Sequence, residues 1–271
     1  MDGSPLTFLF WNLKQPRADI LVNLVNRYTV DVVMLAECPM APGTILLALN
    51  ERSADYFFVQ GKCPKINVFT RFSEQYAPAV MEGDDYTIRR IALPGRLEIL
   101  LCVVHFPSKL YGTPVDKTAF AADFAGKVLE PVEKEHARTL LVGDLNMNPY
   151  EDGMVQHNAL HAVVTREIAS RRERTVKFEA NRYFYNPMWR HFGEQPEGHA
   201  GTYYLRSPKS RADYWNVYDQ VLLRPALLPF FRDEDLAIIH DDTFSNVSLL
   251  QDGKPNREIS DHLPIVFRVH L

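Results

Sequence analysis

The chain has 271 residues, enough for one large domain with a sizeable core, and its 46% hydrophobic and 24% charged residues exclude wholesale disorder. Thirty Lys and Arg against 34 Asp and Glu leave a net charge of -4, which disfavours a protein that wraps bulk nucleic-acid backbone but leaves room for a local basic patch. Three widely separated cysteines, Cys38, Cys63 and Cys102, argue against a disulfide scaffold or a thiolate metal cluster and fit a reducing compartment. No window approaches eighteen apolar residues, and the short apolar run Leu6–Trp11 has no basic region before it. The expectation is a cytoplasmic protein with no membrane span.

Apolar β-type runs alternate with helix-period segments. Strands are predicted at Leu6–Trp11, Val30–Ala36, Ile66–Arg71, Thr87–Leu93, Leu97–His105, Thr139–Gly143, Val217–Leu223 and Leu263–Val269. Helices are predicted at Arg17–Tyr28, Gly43–Glu51 and Asp116–Glu135. In the first helix Ile20, Leu21, Leu24 and Val25 recur at helical spacing, so one face packs on a sheet. No repeat or linker divides the chain. It reads as one domain over 1–271, with an irregular elaboration at about 165–215.

The informative residues are polar ones where strands stop, the places where rigid scaffolds display chemistry. Asn12 ends the first strand and Glu37 the second. His105 follows Leu-Leu-Cys-Val-Val, Asp144 and Asn146 follow Thr-Leu-Leu-Val-Gly, Asp219 sits in Tyr-Asp-Gln-Val-Leu-Leu, and Asp261 with His262 precede the last strand. Each alone reads as a turn or edge residue. Asp144 and Asn146, two apart in an extended segment, share a face while Leu145 points to the core. Together the set suits phosphate-ester hydrolysis. Glu37 and Asp261 offer the hard oxygens that Mg2+ prefers, with Mn2+ able to substitute. A histidine is the side chain best poised near neutral pH to protonate a leaving oxygen.

These segments, in order, resemble the endonuclease/exonuclease/phosphatase superfamily, which has the deoxyribonuclease I-like fold. The match runs from Trp11-Asn12 through Leu35-Ala36-Glu37, His105-Phe-Pro-Ser108, Gly143-Asp144-Leu-Asn146 and Tyr218-Asp219-Gln-Val-Leu to Ser260-Asp261-His262. The resemblance implies an α/β (α+β) four-layered sandwich, two packed β-sheets flanked by helices, with the site at one end. It implies Glu37 as principal Mg2+ ligand, with Asn12 and Asp261 around metal and phosphate. Asp219 would orient His262, Asp144 would orient or deprotonate the attacking water, Asn146 would contact the phosphate, and His105 would contact it or act as acid. Whether Asp144 or the His262–Asp219 pair is the formal base stays open.

Two departures stand out. Ala36 precedes Glu37 where relatives often carry Gln, and the sequence shows no carboxylate partner for His105. The resemblance points to a Mg2+-dependent phosphodiesterase, foremost a nuclease. The alternatives are a phosphatase or phosphodiesterase on a small or lipid-derived phosphate, or a catalytically silent binding module. The phosphoinositide 5-phosphatase branch is disfavoured by Met147-Asn148-Pro149 and Val217-Tyr218-Asp219-Gln220, and the abasic-site endonuclease branch by Leu13-Lys14-Gln15-Pro16.

The hint of a nucleic-acid partner is Arg166, Arg171, Arg172, Arg174, Lys177 and Arg182, interleaved with Tyr183 and Tyr185. Arg206, Lys209 and Arg211 follow among Tyr203, Tyr204, Tyr214 and Trp215. Such interleaving suits phosphates to be paired and bases to be stacked. Residues 165–215, with Arg171, Arg172 and Arg174 foremost, are therefore expected to form a substrate wall. Ser108 and Lys109 are expected to help hold a phosphate.

Overall fold

A computed structural model describes residues 4–53, 55–108, 113–194, 199–207, 212–242 and 247–271. The first strand, β1 (Leu6–Asn12), is buried along its whole length and leads into α1 (Ala18–Tyr28), which sets Ile20, Leu21, Leu24 and Val25 on the core as its spacing requires. The chain continues through β2 (Val32–Ala36), α2 (Pro42–Leu49), β3 (Phe57–Val59), β4 (Ile66–Thr70), β5 (Ala79–Glu82), β6 (Tyr86–Ile91) and β7 (Ile99–His105). Next come α3 (Pro114–Phe124), α4 (Glu130–Val132), β8 (Thr139–Asp144), α5 (Asp152–Val155), β9 (Ala162–Val163) and α6 (Arg166–Ser170). Then follow β10 (Glu173–Val176), β11 (Glu179–Arg182), β12 (Phe184–Tyr185), β13 (Tyr203–Tyr204), β14 (Trp215–Asn216), β15 (Asp219–Leu223) and β16 (Ala237–Ile238). The chain closes with the minor ladders of β17 (Asp241–Asp242) with β18 (Val247–Ser248) and β19 (Leu250–Gln251) with β20 (Lys254–Pro255), and with β21 (Ile265–Val269).

The helix predicted over Asp116–Glu135 runs in continuous helical backbone from Pro114 to Val132, with a π segment inside it. Thr113 and Asp116 form a reciprocal capping box that starts α3 at Pro114, two residues before the predicted start. Residues Ala125–Leu129 then widen into a π-turn before α4. Pro131 has no N–H to return to residue 127, so the regular ladder cannot run through it.

Two sheets pack face to face, in orders β16-β21-β1-β2-β4-β3 and β5-β6-β7-β8-β15-β12-β9. Strand periodicity makes the layers. In β7, Ile99, Leu101 and Val103 join the core shared with the first sheet, whereas Leu100, Cys102 and Val104 pack with Ala121 and Phe124 of α3. In β8, Leu140 and Val142 face inward and Leu141 outward. With α1 and α2 outside the first sheet, the result is the four-layered α/β sandwich expected.

Register brings the strand ends together. Parallel pairing sets Asn12 beside Ala36 and His105 beside Asp144, and antiparallel pairing sets Asp219 beside Asp144. The tightest point is Gly143, where an added Cβ would lie 1.9 Å from the Val104 carbonyl oxygen, and whose φ is 154°. Only glycine lets β7 and β8 approach closely enough for that register.

Residues 165–215 are more regular than expected. They hold α6, the β10–β11 hairpin, and β12, which is an inner strand of the seven-stranded sheet between β15 and β9. Arg224 anchors that region, donating to both oxygens of buried Glu133 at 2.8 Å while covering the Phe184 ring. No helix among the described residues is long and apolar enough to cross a membrane.

Replacing Gly143 by Ala forces β7 and β8 apart. The expected result is a destabilisation of about 3 kcal/mol or more, read as a lowered midpoint in urea unfolding. A midpoint equal to wild type contradicts the close approach.

Candidate active site

Asp144 is the centre of the polar end. It closes β8, is 1% exposed, and turns its carboxylate to donors on three sides. Asn12 Nδ2 donates to Oδ2 at 3.0 Å, and the Asn146 backbone N–H donates to Oδ1 at 2.9 Å. His105 Nε2 and His262 Nε2 each stand 3.8 Å from Oδ2, close enough for charge attraction but longer than a hydrogen bond. Burial pushes the Asp144 carboxyl upward, and the two histidines oppose that shift.

Asn146 reaches the site differently from the expectation. The strand stops at Asp144, and Asn146 takes a left-handed φ of 50°, a conformation asparagine tolerates. The turn is held by the Asp144 side chain, by Asn146 Nδ2 donating to Phe106 O at 2.9 Å, and by buried Lys117 donating to the Asn146 carbonyl at 2.9 Å. Leu145 does point into the core. Beneath the turn, Asn148 Nδ2 donates to Asn216 Oδ1 at 2.9 Å, and Gln220 Nε2 donates to Met147 O at 2.6 Å, a fully buried amide network.

His262 and Asp219 form the expected pair, with Nδ1 and Oδ2 2.8 Å apart. Burial opposes a charge on His262, but Asp219, Asp144 and the hydrogen bond outweigh it and lift its pKa to about 9. The buried cluster of Asp144, Asp219 and His262 is thus internally paired as carboxylate, imidazolium and carboxylate. Trp11 Nε1 donates to His262 O at 2.9 Å, and the Ser260 hydroxyl donates to Asn12 O at 2.6 Å, tying this loop to the end of β1.

Glu37 also has a left-handed φ, 48°, and its N–H donates to Lys65 O. Its carboxylate lies 3.7 Å from His105 Nε2 and 3.1 Å from Lys14 Nζ. His105 and Lys14 together hold the Glu37 carboxyl well below its usual range against the effect of burial. His105 therefore has two carboxylate neighbours, Glu37 and Asp144, which the sequence did not reveal. Lys14 reaches Asp261 Oδ2 at 3.6 Å as well. Among the described residues, Asn12 Oδ1, Asp261 Oδ1 and Asp219 Oδ1 are buried without a hydrogen-bond partner. Of these, Asn12 Oδ1 and Asp261 Oδ1 belong to residues tied to Glu37, by strand register and through Lys14, and such unsatisfied oxygens are a donor set suited to a hard divalent cation.

The structure thus brings together Asn12, Glu37, His105, Asp144, Asn146, Asp219, Asp261 and His262. Ser108, three residues after His105, is half-buried. Lys109, Lys209 and Arg211 lie outside the described residues. Arg171, Arg172 and Arg174 are not brought to the site, which corrects the expected wall. Tyr185 of β12 pairs with Leu223, four residues along β15 from Asp219, or about 13 Å at strand rise. The chain before it, with Arg172 O accepting from Tyr183 N–H, runs farther from Asp219. Arg171 pairs with Glu167, and Arg174 donates to His161. The later aromatics do reach the site. Tyr203 bridges to His262 in backbone pairing, with ring centroids 4.7 Å apart, and stacks on Tyr218 at 5.2 Å.

No protein-family model matches the sequence, and no curated protein does. Solved structures match over 98% of the chain. They include a D. rerio TDP2 humanized by 14 mutations (16% identity, 99% of that chain covered, TM-score 0.53). Two family proteins also match, from Bacteroides thetaiotaomicron (13%, 95%, 0.58) and Leptotrichia buccalis C-1013-b (12%, 100%, 0.57). The fold is that of the endonuclease/exonuclease/phosphatase proteins. At these identities the likeness concerns architecture alone.

The raised His262 pKa has a pH signature. Protonation of His262 stabilises the fold fully below pH 6.5, progressively less from there to about 9, and not at all above. In EDTA, urea-unfolding stability is expected to fall by on the order of 3 kcal/mol across that window. His262→Gln is expected to flatten the slope, and an unchanged slope in that variant assigns the titration elsewhere.

Proposed function

We propose that the protein is a divalent-cation-dependent phosphodiesterase, foremost a nuclease. The observation that carries this reading is the buried Asp144 carboxylate, fixed by Asn12 and Asn146 and flanked by His105 and the His262–Asp219 pair. Asp144 is the group placed to orient a water and take its proton as attack on phosphorus begins. Burial raises the basicity of that carboxylate, which favours accepting the proton. His262, held protonated between Asp219 and Asp144, acts as a cationic donor to a phosphate oxygen rather than as the base. Asn146 gives one Nδ2 hydrogen to Phe106 O and keeps the second to donate to the phosphate as charge develops.

His105 lies between Glu37 and Asp144 and is the candidate to meet the leaving oxygen. A divalent cation held by Glu37, Asp261 and Asn12 Oδ1 supplies charge neutralisation at the phosphoryl group when bound. Nucleic acid is the favoured substrate because Tyr203 forms an aromatic edge against His262, backed by Tyr218. Beside it, Lys254 Nζ stands 4.9 Å from the centre of the Tyr204 ring. Such a rim offers stacking for a base and charge for a neighbouring phosphate. The same aromatic pairing contributes little to recognition of a small phosphate.

Nicking of supercoiled plasmid in Mg2+ or Mn2+ tests the reading. Wild type is expected to nick, EDTA to abolish it, and Asp144→Ala to lower the rate about 1,000-fold. Nicking that survives both changes, or an absence of phosphodiester cleavage on plasmid and RNA alike, refutes it.

The rim makes a separate prediction. Tyr203→Ala is expected to raise KM for a single-stranded oligonucleotide about tenfold. The triple replacement of Arg171, Arg172 and Arg174 by Ala is expected to change it less than twofold. The reverse ranking returns the substrate wall to the hairpin.

A further inference from the structure

Leu13 N–H donates to Ala36 O at 3.0 Å, carrying the β1–β2 ladder one step beyond Asn12, and the Leu13 side chain is fully buried. Lys14 follows and faces the opposite way, over the polar end. Its Nζ lies 3.1 Å from Glu37 Oε2 and 3.6 Å from Asp261 Oδ2. The two carboxylates come from opposite ends of the chain, one after β2 and one before β21, and Lys14 is the cation that joins them. Burial opposes the Lys14 charge, yet Asp261 and Glu37 more than offset it and raise its pKa. The Lys14 side chain remains 40% exposed, so its flexible stem is free to carry the ammonium outward.

A divalent cation and this ammonium need the same oxygens. A hard cation binds carboxylate oxygens at roughly 2.0–2.6 Å, and an ammonium in contact with those oxygens stands within the space such an ion occupies. Like charges at that separation repel strongly in a half-buried site. Ion and ammonium therefore compete for Glu37, since holding both sets two cations in repulsive contact.

We propose that Lys14 is an internal counter-cation that a divalent ion must displace from Glu37 and Asp261. The proposal rests on the reading above that these two carboxylates hold the ion. In the ion-free protein Lys14 relieves the repulsion between Glu37 and Asp261, so the carboxylates stay together. Ion binding then exchanges one cation for another and releases the Lys14 ammonium at the rim. Two consequences follow for this chain. Its divalent affinity is weaker than the same oxygens alone provide, and its ion-free fold is more stable than an unrelieved pair of carboxylates allows.

Isothermal titration of Mn2+ into the purified protein reads the first, with no dependence on turnover. Lys14→Met keeps the length of the stem and removes the charge. It is expected to bind Mn2+ at least tenfold more tightly than wild type. Arg17→Met, which removes a charge paired with Asp19 outside the site, is expected to match wild type. Thermal unfolding reads the second. In EDTA the Lys14→Met variant is expected to melt below wild type, and Mn2+ is expected to raise its midpoint by more than it raises the wild-type midpoint. Equal or weaker Mn2+ binding by Lys14→Met overturns the displacement while leaving the ion site standing. An absence of Mn2+ binding by both proteins removes the ion site itself, and the displacement with it.

Discussion

A carboxylate taken fully out of water is the constraint on which the rest of this molecule depends. Burying an ionised Asp costs several kcal/mol unless donors and opposite charges replace the lost solvent. Asp144 receives that replacement from four separate chain segments: Asn12 at the end of β1, the turn at Asn146, His105 at the end of β7, and His262 before β21. None is near it in sequence except Asn146. The polar end of the sandwich therefore forms only when both sheets are in register, and the site is a product of the whole fold rather than of one loop.

The register in turn depends on parallel pairing. Strands β1 with β2 and β7 with β8 run the same way, so four C-terminal ends emerge on one side. Antiparallel β15 and β21 contribute the residues at or before their starts, Asp219 and His262, to that same side. Gly143 is the point where this arrangement is tightest. Without a side chain there, Val104 O approaches close enough for His105 and Asp144 to lie side by side. The amide network of Asn148, Asn216, Gln220 and Asn186 then fixes the turn after β8 without adding charge to a crowded site.

Most strands and every strand-end residue of the central set were legible in the sequence, because strands buried on both faces read as apolar runs and a polar residue at their end is conspicuous. The end of the third predicted helix was not, since its pattern of apolar residues gives no sign of the π segment at Ala125–Leu129 or of the stop after Val132. The Arg-rich hairpin was misplaced for a related reason. Composition shows that Arg171, Arg172 and Arg174 stand near tyrosines in the chain, but the end of the sheet at which a hairpin lies depends on the direction of β12, a two-residue strand with almost no sequence signal. Lys14 was missed because a lysine after a strand is ordinarily solvated. Its meaning comes from two carboxylates 23 and 247 positions away. His105 lacked a visible partner for the same reason.

Charge balance connects these observations. Four carboxylates, Glu37, Asp144, Asp219 and Asp261, crowd one end of the sandwich, and a phosphate ester approaching them meets like charge. His262 neutralises the Asp144–Asp219 side from within, since its protonated form is favoured there. Lys14 does the same for Glu37 and Asp261 in the ion-free protein. Exchange of Lys14 for a divalent ion therefore changes more than one contact. The ion brings two positive charges, and the lysine it releases keeps its own at the rim beside the incoming phosphate. The four carboxylates outnumber His262 and Lys14 by two charges in the ion-free site, and a divalent ion would cancel that excess, which removes the repulsion an anionic substrate meets. Under the proposed displacement, ion binding and substrate binding would be coupled through the same two carboxylates, with no movement of the backbone needed to couple them.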